Sequence, residues 1–267
     1  MTSTDDRRST ADRRSRRDHD RASELSDSLA RGEIEVLFQP QFSCADGALA
    51  GAEALARWRH PRRGMIGAEA MFALAGRVGM AEAMTAHIAT RALADAAFWP
   101  GDLRLSINVT AADLGEENFA RTMIGLVARS GMSPDRLTLE ITEQALVRDV
   151  ERCAAQLAML AERGIRVALD DFGAGFCNFR YLKILPLDYL KLDRTMVEGT
   201  VGDERDLAVL RGIVAMAGAL DLAVIAEGIE TEEQLAIVRA EGCALFQGFL
   251  RAKPMDAAAF AQLAAEA

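Results

Sequence analysis

The amino-acid sequence predicts an α/β protein with a (β/α)8 barrel of the TIM type. Three observations predict this fold class: eight short apolar segments typical of strands, helical patterns between most of them, and a length of 267 residues, half of them apolar. No glycine-rich dinucleotide loop and no Walker sequence follows an early strand, which disfavours the other common α/β folds. We therefore expect one barrel domain behind a short charged tail.

The eight predicted strands are short apolar runs bounded by polar or glycine-containing segments. In a barrel, their carboxyl ends meet at one face, and functional residues collect there. The predicted strands are Ile34–Phe38, Leu49–Leu55, Leu103–Val109, Leu137–Ile141, Val167–Leu169, Tyr189–Leu192, Ala223–Ala226 and Ala244–Phe246.

Helical patterns fill most of the intervals between these strands. Apolar residues repeat at helical spacing over Leu207–Ala217, and Val150–Arg163 is predicted to form another helix. Thr231 and Gln234 have the spacing of a capping box, so a further helix is expected to begin there. The alternation of strand and helix is what the barrel requires.

The first 21 residues differ in composition from the rest of the chain. They are rich in Arg, Asp, Ser and Thr and offer almost nothing to bury, so we expect a disordered tail over residues 1–21. Leu25 and Leu29 share one helical face and mark the start of a folded domain over residues 22–267.

Composition argues against several function classes. A formal net charge of -9 disfavours broad binding of polymeric nucleic acid through a basic surface. Neither a secretory signal nor an apolar run of about 18 to 20 residues is visible, so we expect a cytoplasmic protein without membrane insertion. The cysteines lack metal-site spacing and histidines are few, so any metal ligands are expected to be oxygen atoms.

The segment VALDDFGAGF, at residues 167–176, carries the strongest chemical signal. Neighbouring side chains of a strand point to opposite faces, so one of Asp170 and Asp171 must face inward, where a carboxylate needs a cation. Gly173 and Gly175 allow the backbone to turn sharply after this pair. Taken alone, the segment fits a metal site and a solvated Asx turn about equally well.

Other strand ends carry polar residues of the same kind. Any one of these residues can be explained as a solvated or salt-bridged side chain. Several carboxylates at one barrel mouth, however, would repel one another unless cations were present. Oxygen ligands favour Mg²⁺ or Mn²⁺ over zinc, and two such ions form the usual clamp for phosphate-ester hydrolysis. These residues are Glu53, Asn108, Glu140, Glu143, Lys191, Asp193, Glu227, Glu230 and Gln247.

The chain resembles the bacterial EAL domain family, the cyclic di-GMP phosphodiesterases. The resemblance runs from about Ala22 to the C-terminus and rests on FQPQ, EALARWRHP, NVT, LEITE, DDFGAGF, LKLD, AEGIE and QG, in the order of the family. It implies a modified TIM barrel with an antiparallel first strand, and hydrolysis of cyclic di-GMP to linear pGpG. It also implies two Mg²⁺ or Mn²⁺ ions as cofactors, inhibition by Ca²⁺ and a homodimer, with a regulatory protein partner as a further possibility.

The resemblance implies a role for each matching residue. Lys191 is the catalytic lysine beside the attacking water, and Glu53 and Glu227 are further catalytic residues. Among so many carboxylates, Lys191 should stay protonated, which favours water orientation or charge stabilisation over base chemistry. The implied metal ligands are Glu53, Asn108, Glu140, Asp170 and Asp171, with Asp193 at the second ion and Glu227 and Gln247 acting through water on the metal.

Substrate contacts are expected from Gln39, Arg57, Asp171 and Glu230. Arg57 is suited to a bidentate contact with a phosphate, although a salt bridge at the barrel rim explains it when it is taken alone. By the resemblance, Glu143 stabilises the loop that follows Asp171.

Two places depart from the common family pattern. Ala56 stands where a second leucine often follows EAL, and GAGFCNFRYL replaces the usual GTGYSSLSYL, which removes hydroxyl groups over residues 174–178. The alternative function is therefore a non-catalytic cyclic di-GMP receptor that acts through a protein partner, and a scaffold without binding or catalysis is a third. Retention of Glu53, Lys191 and the metal ligands favours the hydrolase.

Overall fold

The computed structural model describes residues 19–146, 149–175 and 179–267. Residues 19–30 form helix α1. The strands are β1 (Ile34–Ser43), β2 (Leu49–His60), β3 (Gly64–Gly67), β4 (Arg104–Val109), β5 (Leu137–Thr142), β6 (Arg166–Phe172), β7 (Tyr189–Leu192), β8 (Ala223–Ala226) and β9 (Leu245–Phe246).

The remaining helices lie mostly between the strands, and a short 3-10 helix at Pro134–Arg136 precedes β5. They are α2 (Ala68–Arg77), α3 (Ala81–Ala96), α4 (Ala111–Gly115), α5 (Phe119–Ser130), α6 (Glu143–Leu146), α7 (Val150–Ala161), α8 (Phe179–Ile184), α9 (Thr195–Glu198), α10 (Glu204–Ala219), α11 (Glu232–Ala240) and α12 (Ala257–Glu266).

Eight of the strands close into a barrel, which confirms the predicted fold class. The order around the barrel is β1-β9-β8-β7-β6-β5-β4-β2, and pairing of β1 with β2 closes it. β1 runs antiparallel to both of its neighbours, whereas β2 and β4 to β9 are parallel to one another. The antiparallel first strand implied by the family resemblance is therefore present.

All eight predicted strands form, and two of them extend well beyond their predicted ends. β1 continues to Ser43 and β2 to His60. The outer part of β2 pairs with β3, a strand that the sequence analysis missed because GMIG has glycine at both ends and only two apolar residues. The predicted capping box of Thr231 and Gln234 opens α11.

The apolar residues form two layers. A large cluster fills the space between the barrel and the surrounding helices, and a small separate cluster of Ala168, Tyr189 and Ile225 lies with Ala223 and Leu245. Side chains two positions apart on a strand share a face. The next residues on that face are polar, namely Asp170, Lys191, Glu227 and Gln247.

The amino-terminal helix is tied to the hairpin of β2 and β3. Glu24 of α1 lies 3.0 Å from His60 Nε2, 3.2 Å from Arg62 and 2.8 Å from Arg63. Residues 1–18 lie outside the described part of the chain, so the predicted disordered tail and its boundary stay predictions. Across the described residues, no helix combines the length and the apolar character needed to cross a bilayer.

Candidate active site

Lys191 lies at the centre of a ring of carboxylates at the carboxyl ends of the strands. Its ammonium nitrogen is 2.5 Å from Glu140 Oε2, 2.7 Å from Glu227 Oε1, 3.1 Å from Asp170 Oδ1 and 3.6 Å from Glu53 Oε2. Only 1% of the lysine is exposed. Four carboxylates from β2, β5, β6 and the residue after β8 therefore converge on one buried cation.

The protonation state of Lys191 follows from this arrangement. Burial disfavours the ammonium form, but Asp170, Glu140, Glu227 and Glu53 outweigh it and raise the lysine pKa well above its usual value. Lys191 is therefore a fixed positive charge at neutral pH. It is suited to orienting and stabilising negative groups and unsuited to acting as a free amine base.

The pKa values of the carboxylates around Lys191 are shifted in different directions. Burial, together with the charges of its neighbours, raises the pKa of Glu140 well above its usual range. Burial also raises the pKa of Glu227 to about 8. Burial acts in the same direction on Glu53, but Lys191 and two amide donors outweigh it and lower the Glu53 pKa. One lysine therefore does not neutralise all the carboxylates around it.

Side-chain amides hold Glu53 in place. Asn108 Nδ2 donates to Glu53 Oε1 at 2.6 Å, and Gln247 Nε2 donates to Glu53 Oε2 at 2.8 Å and to Glu227 Oε1 at 2.9 Å. Gln41 Nε2 in turn donates to Gln247 Oε1 at 3.0 Å. This last bond fixes which end of the Gln247 amide faces the carboxylates. No role for Gln41 was predicted from the sequence.

The backbone after Asp170 is irregular. Asp171 has a φ of 55°, in the left-handed region, and the register of β6 against β7 shifts between Leu169 and Phe172. As a result Asp170 and Phe172 are buried, Asp171 is exposed, and the Asp171 amide donates to Asp170 Oδ1 at 2.9 Å. Left-handed backbone at a residue other than glycine costs free energy and often marks a functional site.

The donor set fits hard divalent cations. Asp170, Asp171 and Glu227 each offer a carboxylate oxygen, and the three atoms lie within 4.8 Å of one another. Glu140 Oε1 is buried without a hydrogen-bond partner among the described residues. Although Asp171 is exposed as a residue, partial desolvation of its carboxylate and the charge of Asp170 raise its pKa, as expected for carboxylates crowded without enough positive charge. Clustered oxygen atoms of this type suit Mg²⁺ or Mn²⁺.

Two predicted acidic residues have partners at the edge of this cluster. Asp193, just after β7, accepts hydrogen bonds from the Thr195 amide at 2.9 Å and from its hydroxyl at 2.5 Å. Glu230 is exposed and pairs with Arg194 at 2.9 Å. Glu143 begins α6, directly after β5. Their predicted roles in metal binding, substrate binding and loop stabilisation stay predictions.

Two predicted substrate contacts lie on the hairpin of β1 and β2. Gln39 is the cross-strand partner of Glu53. Arg57 lies further along β2, where its guanidinium donates to the carbonyl of Ala56 at 2.9 Å. The altered loop at residues 174–178 falls largely outside the described residues, because 176–178 are not described.

A groove extends from the carboxylates toward α2. It has a volume of about 860 Å³, and its wall includes Glu53, Asn108, Leu55, Phe72 and Ile107. Ligand sites of small molecules typically have volumes of about 300 to 1,000 Å³ and are largely apolar with a few polar groups. The groove and the carboxylate cluster together have the form of a binding site for a small molecule with a charged group.

The fold and the site define a barrel protein with a cluster of carboxylates around a buried lysine at the carboxyl ends of its strands. The EAL domain matches residues 22–254, and the chain belongs to the EAL domain family. It is 36% identical over 240 residues to the cyclic di-GMP phosphodiesterase NbdA of Pseudomonas aeruginosa, covering 88% of this chain and 31% of that protein.

Similarity to other known proteins supports this assignment. An uncharacterized signaling protein of Caulobacter vibrioides is 39% identical over 238 residues, covering 88% of this chain and 29% of that protein. The structure of the PaMucR phosphodiesterase in complex with c-di-GMP superposes with a TM-score of 0.84 at 30% identity, covering 90% of this chain and 99% of that one. The chain thus spans about a third of the length of these two curated relatives.

Proposed function

We propose that this EAL domain hydrolyses cyclic di-GMP to linear pGpG with the help of two Mg²⁺ or Mn²⁺ ions. The observation that carries the proposal is the convergence of Glu53, Glu140, Asp170 and Glu227 on the buried ammonium of Lys191. Relatives named cyclic di-GMP phosphodiesterases and a structural neighbour in complex with c-di-GMP support the substrate.

The divalent cations would be held by oxygen atoms at the carboxyl ends of the strands. When bound, they would supply Lewis-acid activation of a water molecule and of the phosphate oxygens. The proposed ligands are Glu53, Asn108, Glu140, Asp170 and Asp171, with Asp193, Glu227 and Gln247 at the edges of the ion sites.

The protein's own residues would hold the reacting groups in place. Lys191 has three N–H donors and is surrounded by four acceptors, so it stays charged and positioned at the centre of the site. We infer that its charge orients the attacking water and stabilises the negative charge that develops at phosphorus. Asn108 and Gln247 restrict Glu53 to one orientation.

The substrate would lie across the barrel mouth with one nucleoside in the groove toward α2. A groove of about 860 Å³ accommodates such a group, and Arg57 and Gln39 on the adjacent hairpin are the proposed phosphate and polar contacts. The predicted homodimer, Ca²⁺ inhibition and regulatory protein partner follow from the family resemblance, and the predicted cytoplasmic location follows from the sequence composition. All four belong to the same proposal.

The test is an assay of the purified full chain in which chromatography measures the conversion of cyclic di-GMP to pGpG. Turnover is expected with Mg²⁺ or Mn²⁺ and is expected to stop with Ca²⁺ or a chelator. Lys191→Ala should lower turnover by about 10²- to 10³-fold or more while substrate still binds. Lys183→Ala, which changes an exposed lysine of α8, is the matched control and should behave as the wild type.

Two results would overturn the proposal. Binding of cyclic di-GMP without turnover under every metal condition would identify a receptor, the alternative function. Equal turnover in Lys191→Ala and the wild type would remove Lys191 from the mechanism.

A further inference from the structure

A second charged cluster lies at the opposite end of the barrel. Arg104 is the first residue of β4 and Arg166 is the first residue of β6. Both arginines direct Nη1 to the hydroxyl of Tyr189, each at 2.6 Å. The two nitrogens therefore lie within about 5 Å of each other. We call Arg104 and Arg166 the amino-end arginine pair.

The positive charges of the amino-end arginine pair are not balanced by an ion pair. Among the described residues, neither guanidinium lies within ion-pair distance of a carboxylate. Of the neighbouring acidic groups, Asp188 accepts from the Val167 amide at 2.9 Å, and Asp135 accepts from the Ser133 hydroxyl and interacts with Arg166 only at longer range. Each guanidinium has five N–H donors, and one of them is used on Tyr189.

The hydroxyl of Tyr189 is a third hydrogen-bond donor beside the two guanidinium groups. Tyr189 is buried, with 5% of its surface exposed. A phenol oxygen has two lone pairs, and the two arginines occupy both, so the hydroxyl hydrogen remains to be donated. In the described structure this hydrogen has no acceptor. Among the described residues, the hydroxyl hydrogen therefore lacks an acceptor and neither guanidinium contacts a carboxylate; Asp135 acts on Arg166 only from beyond ion-pair distance.

The cluster is next to an open space. Arg104 lines a cavity of about 450 Å³ whose wall also contains residues 48–50, residues 100–103, Ala264 and Ala267. Asp102 belongs to this wall, whereas Arg166 and Tyr189 do not. A small ligand in this cavity would reach Arg104 without contacting the carboxylate cluster, because none of its residues lines the cavity. The cavity thus gives access to Arg104, and the two guanidinium groups on one hydroxyl supply the positive charge that an anion requires.

We propose that the amino-end arginine pair binds a phosphate group, either free inorganic phosphate or the phosphate of a small molecule. Guanidinium groups bind phosphate through paired N–H donors, and two of them with a hydroxyl match its three or four acceptor oxygens better than the two of a carboxylate. This site goes beyond the proposed hydrolysis and does not depend on it, since it shares no residue with the carboxylate cluster.

The test is calorimetric titration of inorganic phosphate into the full chain with Mg²⁺, at constant ionic strength. The measured quantity is the difference between variants, because cations at the carboxylate cluster also attract phosphate. Arg104→Gln and Arg166→Gln should each weaken phosphate binding by about tenfold or more. Arg211→Gln removes an exposed arginine that is paired with Glu241, and it should leave binding unchanged.

Further titrations distinguish free phosphate from a phosphate ester, and a conservative variant tests whether lost binding is due to misfolding. A nucleoside monophosphate binding more tightly than inorganic phosphate would identify a phosphate ester as the ligand, and acetate should bind weakly. Arg166→Lys keeps the charge but loses the paired donors, so a folded Arg166→Lys protein should also bind more weakly. Equal phosphate binding in the wild type and all three variants of the pair would overturn the inference, whatever the outcome of the turnover assay.

Discussion

Tyr189 and Lys191 lie two residues apart on β7 and share its inward face, yet their surroundings have opposite charge. Four carboxylates surround the ammonium of Lys191, whereas two arginines donate to the hydroxyl of Tyr189. The separation arises because acidic residues lie toward the carboxyl ends of the strands and the arginines begin them. A step of two residues along β7 therefore changes the surroundings of the inward side chain from acidic to basic.

The interior of this barrel is organised in layers that cross the strands, so that each strand contributes residues of different charge to different layers. A thin apolar layer, with Ala168 and Ile225, separates the two charged ends. At each end the chain leaves charge uncompensated: carboxylates exceed the single lysine at one end, and two arginines meet a neutral phenol at the other. Like charges about 5 Å apart repel by about 3 kcal/mol at an effective dielectric constant of 20. This excess of like charge at each end is the basis of the proposed divalent cations at the carboxylate cluster and of the proposed phosphate at the amino-end arginine pair.

The largest expected effect is that of Glu140→Gln. This change removes one buried negative charge whose second oxygen has no partner among the described residues. With a chelator present, the melting temperature should stay the same or rise, because repulsion with neighbouring carboxylates is relieved. With Mg²⁺, turnover should fall by about 10³-fold, since a proposed ligand is lost. Thermal melting and pGpG formation measure the two effects.

The matched control is Glu266→Gln, an exposed residue of the last helix. Its turnover and melting temperature should equal those of the wild type. A Glu140→Gln protein that is strongly destabilised in chelator, yet fully active with Mg²⁺, would show that Glu140 is a structural partner of Lys191. The comparison between the two ends would then lose its functional meaning.

Much of the acidic end was predictable from the sequence, because alternation along a strand is a local property. Asp170, Lys191 and Glu227 each follow an apolar run by a fixed spacing, and the structure brings them together. Gln41 was missed because β1 was predicted to end at Phe38. It lies two residues after Gln39, on the same face, so a longer strand would have revealed it.

The basic end was not predictable in this way. Arg104, Arg166 and Tyr189 are separated by up to 85 positions, and their convergence depends on the register of four parallel strands around the barrel. Nothing in the local pattern of any one strand indicates that two guanidinium groups share one hydroxyl. The left-handed backbone of Asp171 is likewise set by the register shift between β6 and β7, which involves two distant segments.

A smaller effect is expected from Gln41→Leu, which tests whether the orientation of the Gln247 amide matters for turnover. The change leaves the Gln247 amide free to turn, so its nitrogen is no longer held toward Glu53 and Glu227. Turnover should fall by about 10- to 100-fold with little change in KM, as is usual when a residue that orients a metal-binding group is removed. Steady-state kinetics measure this.

The control for this variant is Gln262→Leu, which changes an exposed glutamine of α12 and should have wild-type kinetics. A rise in KM with unchanged kcat in Gln41→Leu would assign Gln41 to substrate binding instead. Normal kinetics would show that Glu53 and Gln247 keep their positions without it.

The smallest effect on turnover is expected from Tyr189→Phe. Removal of the hydroxyl leaves the amino-end arginine pair without its shared acceptor, so the free energy of unfolding should fall by about 1 kcal/mol. Because Lys191 and its carboxylates lie in a different layer, kcat and KM should stay within about a factor of two of the wild type. Denaturant unfolding and the pGpG assay measure both effects on the same protein. A large loss of turnover would show that the two ends of β7 are coupled through the apolar layer, since no residue of the carboxylate cluster bonds to the hydroxyl that is removed.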